Sequence, residues 1–288
     1  MVDLKLHFPN GFFDEEVRCG YTVTKETKKL WAVQLDLLAE LDHVCKKYDI
    51  KYMACAGTML GAVRHQGFIP WDDDIDVMMT YDNYIQFLKV WKDTEIFKVM
   101  NFDNCEECNY VFTKIYDART KSEQTKFALP DKLGVHIDVF CLYPIPSDNN
   151  CVSDYAKKTH KYYSKILNTD KKYIEISTRN TSPIKKVIKK AYSFYCNLFG
   201  KKYWFNKTYN ELSKYVDTQT EGYTKPLTHI SRNNYFPKEW FESAVYVDFE
   251  GEKYPVPVGY DEYLKQVFGE DYMIERKVPN HNNKFVWR

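Results

Sequence analysis

Apolar residues recur at intervals of three and four positions in several stretches, a spacing typical of amphipathic helices. The first stretch begins after Thr24, a residue type that often caps helices, and its apolar positions are Leu30, Trp31, Leu35, Leu38, Leu41, Val44, Cys45 and Tyr48. Shorter helices are predicted over 81–91 and 261–268. One or two helical turns are also expected over 59–64, directly after a Gly-Thr pair.

Short apolar runs bounded by turn residues predict strands between these helices. The runs lie at 50–55, 73–79, 97–102, 110–117, 134–142, 244–249 and, after a turn at Gly251, up to Val256. Together with the helices they predict an α/β (α+β) fold, in which helices flank a central mixed sheet.

The charge is distributed unevenly along the 288 residues. The formal net charge is +1, but residues 151–214 hold 15 Lys and Arg against 4 Asp and Glu, or +11, which leaves −10 for the remainder. A hydrophobic content of 44% and an aromatic content of 17% indicate a globular protein. We therefore predict a core over 1–150, a basic helical insertion over 151–222, and a C-terminal segment, 223–288, that completes the core.

No run approaches the roughly 18 apolar residues of a membrane span, and the N-terminus lacks the pattern of a leader. We expect a cytoplasmic protein, peripheral at the inner membrane face if it contacts membrane at all. The eight cysteines have no disulfide-framework spacing. Cys105 and Cys108 have the spacing of half a zinc site, with Cys141 and Cys151 as further candidates. Without a second Cys-x-x-Cys pair, we expect free thiols rather than structural zinc.

The stretch 57–79, GTMLGAVRHQGFIPWDDDIDVMM, places four carboxylates among apolar residues. Burying an unpaired carboxylate costs several kcal/mol unless a cation neutralises it. On a strand, Asp74 and Asp76 leave the same face, and two such carboxylates suit a hard divalent cation such as Mg²⁺. A solvated turn is the alternative for such a pair. Asp72 and Asp73 are ambiguous, because each either supports the ligands or caps the turn after Trp71.

Two further features extend this candidate site. Gly57 and Thr58 lie at a strand-to-helix turn, where backbone N–H groups can hold a phosphate. Asp138 is isolated in the apolar strand 134–142, where it is unfavourable unless it joins Asp74 and Asp76. These carboxylates predict a three-ligand site for Mg²⁺, with Mn²⁺ as the alternative ion.

This order of residues resembles the nucleotidyltransferase superfamily: Gly-Thr opening a helix, then an Asp-x-Asp strand, then a third carboxylate on a neighbouring strand. More narrowly, GTMLGAVRHQGFIPWDDDIDV resembles the signature of the LicD family of phosphotransferases, which includes bacterial phosphocholine transferases and the catalytic domains of fukutin-related proteins. The likeness continues in GVHIDVF, over 134–140, and covers about 24–145 and 235–280. The basic segment lies outside it.

The resemblance implies a nucleotidyltransferase-like fold and transfer of a phosphorylated alcohol from a CDP-linked donor to a glycan hydroxyl, releasing CMP. CDP-choline is the favoured donor, and the acceptor would be a cell-surface glycan or a lipid-linked, teichoic-acid or lipopolysaccharide precursor. Asp74, Asp76 and Asp138 would be the catalytic residues and metal ligands, with Asp138 also a candidate base. The substrate-binding residues would be Gly57, Thr58, Arg64, His65, Lys114 and His136.

Several alternatives remain open on the sequence. Ribitol or glycerol phosphate could replace phosphocholine, since abundant aromatic residues permit a choline cage but do not locate one. A true nucleotidyltransferase acting on a small acceptor would release pyrophosphate rather than CMP. Arg64 would either bind diphosphate or lie at the surface of a short helix. Nucleic-acid binding is not expected, because the chain outside the basic segment carries −10 and shows no recognised binding motif. A glycan-binding pseudoenzyme is not expected, because all three carboxylates are present.

The basic segment contains one clear helix, 183–199, with Ser182 as its cap, Pro183 at its first position and Gly200 as its stop. Its apolar residues share one face and its lysines the other. Two interpretations follow. The helix either packs its apolar face on the body and solvates its lysines, or lies on an anionic membrane as a peripheral contact.

Overall fold

The computed structural model describes residues 2–122, 130–225 and 235–276, and the backbone of 285–287. The helices within these ranges are α1 (Lys25–Lys47), α2 (Ala56–His65), α3 (Tyr81–Val90), α4 (Asn149–Thr169), α5 (Lys171–Thr178), α6 (Pro183–Phe199), α7 (Lys201–Leu212) and α8 (Tyr260–Phe268). A 3₁₀ turn covers Lys238–Phe241.

The strands are β1 (Glu16–Arg18), β2 (Tyr21–Val23), β3 (Met53–Ala54), β4 (Asp76–Thr80), β5 (Phe97–Met100), β6 (Thr113–Asp117), β7 (Thr120–Ser122), β8 (His136–Ile145), β9 (Gly222–Thr224), β10 (Phe236–Pro237), β11 (Ala244–Phe249), β12 (Glu252–Pro257) and β13 (Phe285–Trp287). Strands β3–β6 and β8–β10 form one sheet, and the other strands within the described ranges pair as β1 with β2, β11 with β12 and β7 with β13. The predicted α/β fold with a central mixed sheet is confirmed, because β4 runs parallel to β8 while the other pairs are antiparallel.

Strand β8 is the centre of the sheet. Its first half pairs with β6, its second half with β9, and its other edge with β4. This register places Asp138 directly opposite Asp76 on one side and opposite Lys114 on the other. Three ionisable side chains from separate parts of the chain therefore meet at one point of the sheet.

Helix α1 covers one face of this sheet, and its predicted cap is confirmed: the Thr24 hydroxyl accepts a hydrogen bond from the Thr27 N–H at 3.2 Å. Trp31 and Leu37 are completely buried in the main core cluster. Since β-strand side chains alternate between faces, Val77 and Val139 pack in the same core cluster as α1, while Asp76 and Asp138 leave the opposite face of the sheet.

The basic segment forms four helices, α4 to α7, and the predicted helix over 183–199 is confirmed as α6 with Ser182 as its cap. Tyr155, Ile166 and Trp204 are buried in the same core cluster as the central sheet. The proposed borders at 150 and 222 remain a prediction. Part of the predicted C-terminal segment, 226–234 and 277–284, lies outside the described residues.

The hairpin of β11 and β12 and helix α8 pack against α2 and β3. Glu250, at the hairpin turn, accepts two hydrogen bonds from Arg18, at 2.5 and 3.1 Å, and one from the Phe68 N–H at 3.1 Å. Among the described helices, none has both the length and the apolarity that crossing a bilayer requires.

Candidate active site

Two segments of the chain bring the predicted carboxylates together. The parallel register pairs Asp76 with Asp138, and the Asp138 N–H donates to the Ile75 carbonyl at 2.9 Å, which extends the contact toward Asp74. Asp72, Asp73 and Asp74 precede β4, and their nearest carboxylate oxygens all lie within 4.8 Å of one another. The structure thus gathers five carboxylates.

Strand β4 begins at Asp76, three residues later than the predicted strand. The reason is a set of tertiary hydrogen bonds from α1. The Trp31 indole donates to the Asp72 carbonyl at 3.0 Å, and the Gln34 amide donates to the Asp73 carbonyl at 2.9 Å. These carbonyls accept from side chains, so 72–75 forms an ordered loop, and Asp74 does not share a strand face with Asp76.

The carboxylates raise one another's proton affinity. Burial, reinforced by the charges of Asp72, Asp73 and Asp138, raises the pKa of Asp74 well above its ordinary value. Burial and the Asp74 charge do the same to the pKa of Asp76, and burial with the charges of Asp76 and Asp73 raises the pKa of Asp72 to about 7. Like charges held this close are unfavourable without a cation between them.

Two lysines offset part of this charge. Lys114 is buried and donates to Asp138 Oδ1 at 2.5 Å. Lys225 is buried beside Asp76 and Asp138, whose charges help to raise its pKa, and its ammonium lies 3.3 Å from Cys55 Sγ. The sequence predicted Lys114 but missed Lys225, because a lysine after a three-residue strand is an ordinary surface pattern.

Aromatic rings surround the two ammonium groups. Lys114 Nζ lies 5.2 Å from the Tyr110 ring centroid and 5.0 Å from that of Phe112. Lys225 Nζ lies 4.1 Å from the Phe140 centroid, and the Phe112 and Phe140 rings are 4.6 Å apart. Cations over aromatic faces are stabilised by the ring quadrupole. An aromatic, cation-binding wall therefore stands next to Asp138.

Gly57 and Thr58 are in the first turn of α2, where the helix N–H groups have no intrahelical partner. A Cβ on Gly57 would lie 2.6 Å from Asp72 Oδ2, so the glycine is required for the close approach of that carboxylate. The Thr58 hydroxyl accepts a hydrogen bond from the Asp76 N–H at 2.8 Å. Both residues adjoin the aspartates, and their predicted contact with phosphate stays a prediction.

Arg64 and His65 lie at the opposite end of α2 and do not join the aspartates. Since a helix rises 1.5 Å per residue, Arg64 is about 10 Å along the axis from Gly57. Its guanidinium donates to the Tyr272 carbonyl at 2.7 Å and, through Nε, to His65 Nε2 at 2.9 Å. Both side chains thus contact the turn that follows α8, Arg64 through Tyr272 and His65 through Glu275. The sequence did not indicate these contacts. A role of either residue in diphosphate binding remains only a prediction.

His65 belongs instead to a second cluster with Cys19 and Glu275, whose donor atoms lie within 4.8 Å of one another. The Cys19 Sγ and His65 Nδ1 are 3.7 Å apart. Because His65 Nε2 accepts from Arg64, the proton of the neutral imidazole is on Nδ1. A protonated Nδ1 donates to the thiol or carboxylate rather than binding a metal.

His136 lies at the site, as the alternation with Asp138 predicted. Its Nδ1 is 2.9 Å from the Gly134 carbonyl, and its Nε2 is 3.9 Å from Asp138 Oδ1. Burial and the neighbouring Lys114 charge lower the pKa of His136 to about 4. The imidazole is therefore neutral at physiological pH, donates from Nδ1 to the carbonyl, and keeps the Nε2 lone pair free to accept.

The donor set fits a hard divalent cation. All the carboxylates offer oxygen ligands, which Mg²⁺ and Mn²⁺ prefer. The raised pKa values of Asp72, Asp74 and Asp76 indicate a surplus of negative charge that a cation would relieve. Asp74 belongs both to the compact 72–74 group and to the predicted set with Asp76 and Asp138. The ambiguous Asp72 and Asp73 thus lie at the same site.

Cys105 and Cys108 lie in the loop between β5 and β6. Cys108 is buried, and the Cys108 N–H donates to the Cys105 carbonyl at 3.1 Å. Over the described ranges, no third Cys, His or carboxylate donor comes within 4.8 Å of both. Cys141 is buried in β8 and Cys151 lies in α4. Whether this pair binds zinc stays a matter of prediction.

Comparison with known proteins identifies several relatives. A family model described as the nucleotidyltransferase domain of LicD, FKTN and FKRP matches residues 49–187. The chain is 32% identical over 248 residues to the lipopolysaccharide cholinephosphotransferase LicD of Haemophilus influenzae, covering 84% of this chain and 89% of that protein. The matched range extends past residue 150, further than the resemblance in the motifs indicated.

Shorter stretches match two uncharacterised proteins. One from Rickettsia typhi is 43% identical over 54 residues, or 19% of this chain and 18% of its own length. One from Rickettsia prowazekii is 35% identical over 77 residues, or 27% of each chain. Neither match bears on activity.

Proposed function

The chain belongs to the LicD family of phosphotransferases, and from this premise we propose that it transfers phosphocholine from CDP-choline to a hydroxyl of a lipopolysaccharide or related glycan precursor, releasing CMP. The observation that carries the proposal is the meeting of Asp76, Asp138 and Lys114 across β4, β8 and β6. Carboxylates for a metal and an ammonium for phosphate are what displacement at a diphosphate requires.

In this proposal Asp74, Asp76 and Asp138 hold Mg²⁺, with Asp72 and Asp73 close enough to contribute. The bound ion would neutralise the diphosphate and its leaving CMP. Lys114 and Lys225 then supply positive charge that is already fixed and desolvated, which makes it more effective than a solvated lysine. Asp138 is the candidate acceptor for the proton of the glycan hydroxyl, because its carboxylate lies where the metal would bring the hydroxyl and the diphosphate together.

Choline is favoured over other headgroups by the Haemophilus influenzae relative, which is named a cholinephosphotransferase and matches over most of both chains. A quaternary ammonium cannot donate a hydrogen bond and is bound through aromatic faces. Lys114 and Lys225 already lie over the rings of Tyr110, Phe112 and Phe140, so these faces do not themselves select choline.

We further propose that the reaction takes place in the cytoplasm, at the inner membrane face, where a cytidine donor and a lipid-linked acceptor would meet. The acceptor class rests on the relative's name and not on any feature of the aspartate site.

Product analysis tests the proposal. The purified protein is incubated with choline-free lipopolysaccharide, Mg²⁺ and one of CDP-choline, CDP-ribitol, CDP-glycerol or CTP. CMP and pyrophosphate are quantified together with the mass added to the glycan. We expect CMP and a phosphocholine adduct with CDP-choline, and neither after chelation of Mg²⁺. A preference for CDP-ribitol or CDP-glycerol would refute the headgroup, and pyrophosphate release from CTP without CMP would indicate a nucleotidyltransferase instead.

A further inference from the structure

Helix α6 turns its apolar face toward solvent. Five large apolar side chains along it are between 63% and 74% exposed: Ile184, Val187, Ile188, Phe194 and Leu198. At 100° per residue, these positions lie within one broad arc of the helix surface. We call this arc the apolar ridge.

The opposite, polar face of α6 is the one that packs on the protein. Cys196 is completely buried, and its carbonyl accepts a hydrogen bond from the Trp204 indole at 2.9 Å. The Lys189 ammonium lies 5.1 Å from the Tyr173 ring centroid. The interpretation that α6 packs its apolar face on the body is therefore wrong. The polar face contacts α5 and α7 instead, and this orientation leaves the apolar face exposed to solvent.

An exposed ridge of this kind is unfavourable in water, and contiguous apolar patches on protein surfaces mark interaction sites. The ridge is bordered by exposed lysines, Lys185 on one side and Lys190 on the other. Beside it, a cleft of about 570 Å³ between α5 and α6 is lined on its basic side by Lys171, Arg179, Lys186 and Lys190, and it also contains Glu175.

We propose that α6 docks on an anionic lipid bilayer, with the apolar ridge among the acyl chains and the bordering lysines and cleft at the lipid phosphates. An apolar arc flanked by lysines is the pattern of helices that lie in a membrane interface. A second copy of this chain fits less well, because symmetric contact through α6 would oppose two segments of +11 charge. This inference concerns a surface outside the aspartate site and is independent of the donor.

A matched pair of variants tests the ridge. Val187 is 67% exposed on the ridge and Val17 is 70% exposed in β1, so Val187→Asp and Val17→Asp introduce the same charge at nearly the same solvent exposure. Both should keep the wild-type melting temperature. We expect the wild type to co-sediment with phosphatidylglycerol vesicles, Val17→Asp to bind equally, and Val187→Asp to bind at least about tenfold more weakly.

The charge contribution is tested with Lys190→Gln against Lys51→Gln, an exposed lysine elsewhere on the surface. Only Lys190→Gln should weaken binding, by about fivefold, and the wild type should bind poorly to pure phosphatidylcholine. Wild-type protein that stays in the supernatant, or equal binding by both Val→Asp variants, would overturn the proposal. Equal binding to neutral vesicles would overturn its electrostatic part. A dimer that Val187→Asp dissociates, without vesicle binding, would assign the ridge to a second copy.

Discussion

At the scale of single residues, the contact between Gly57 and the Asp72 carboxylate sets how closely α2 approaches the acidic loop. A side chain at residue 57 would meet the movable end of Asp72, whereas one at Gly61 would lie 2.5 Å from the Gly67 carbonyl, a fixed backbone atom. The two glycines share one helix, so alanine should improve its helix propensity equally at either position.

We therefore expect Gly57→Ala to leave the free energy of unfolding nearly unchanged while it lowers CMP release, because the Asp72 carboxylate must move. Gly61→Ala should lower that free energy by about 1–3 kcal/mol through overpacking. Denaturant unfolding and the CMP assay measure the two effects. Full activity in Gly57→Ala would show that the position of Asp72 does not matter.

The Asp72 carboxyl should make the stability of the protein depend on pH. Its pKa of about 7 in the folded protein exceeds the ordinary value near 4 expected in the unfolded chain. The folded state therefore binds more protons between about pH 4 and pH 7, and the free energy of unfolding should fall as pH rises through this window. Metal-free Asp72→Asn should show a smaller fall than the wild type in urea titrations at several pH values. Parallel curves for the two proteins would contradict the raised pKa.

At the scale of elements, helix α1 holds the acidic loop through its side chains. Gln34 donates to the Asp73 carbonyl and also to the His136 carbonyl, at 2.9 and 3.3 Å, and so joins the loop to β8. Gln86, on α3, donates to the Tyr48 carbonyl at 3.0 Å but in an exposed position. Both glutamines therefore donate an amide hydrogen bond to a backbone carbonyl, but Gln34 is buried and Gln86 is exposed.

Gln34→Leu should lower the free energy of unfolding by about 1–3 kcal/mol, because two carbonyls lose a buried donor. Gln86→Leu should change it by less than about 0.5 kcal/mol, since water replaces the amide. Equal effects in chemical denaturation would show that the loop is held by other contacts.

Elements with local signals were predictable. Thr24 and Ser182 mark the starts of α1 and α6 through their own side-chain hydrogen bonds, which depend on neighbours three residues away. The first residue of β4 was not predictable, because it is decided by α1 side chains about 40 residues away in the chain. The direction of the α6 ridge was not predictable either, since periodicity shows which residues share a face but not what that face meets.

At the scale of the whole molecule, the candidate site is assembled from distant segments. The motif order predicted that 72–76 and Asp138 would meet, and the parallel pairing of β4 with β8 brings Asp76 opposite Asp138. Lys225 was beyond prediction, because it arrives through β9 after the four helices of the basic segment. The placement of Arg64 beside Tyr272 likewise depends on a contact across 208 positions of the chain.

One ion pair across the whole chain has a testable contribution to stability. Glu250, whose side chain is only 6% exposed, binds Arg18 from a distance of 232 positions. Glu250→Ala should lower the free energy of unfolding by about 2 kcal/mol, because it leaves Arg18 with Glu16 as its remaining ion-pair partner and removes the acceptor for the Phe68 N–H. The neighbouring exposed Glu252→Ala is the control and should change it by less than about 0.5 kcal/mol. Similar melting temperatures for the two variants would show that the Arg18–Glu250 ion pair does not contribute to stability.

The most direct test of the account compares CMP release by Asp76→Asn with that by Asp82→Asn. Asp76 faces Asp138 in the proposed metal site, whereas Asp82 lies exposed in the first turn of α3. With CDP-choline, acceptor and Mg²⁺, Asp76→Asn should lose at least about a hundredfold in rate, since a metal supplies several kcal/mol of charge stabilisation. Its melting temperature should stay close to that of the wild type, because Asp76 is buried among other carboxylates and Asp138 remains beside Lys225. Asp82→Asn should match the wild type, and a wild-type rate in Asp76→Asn would contradict the proposed site.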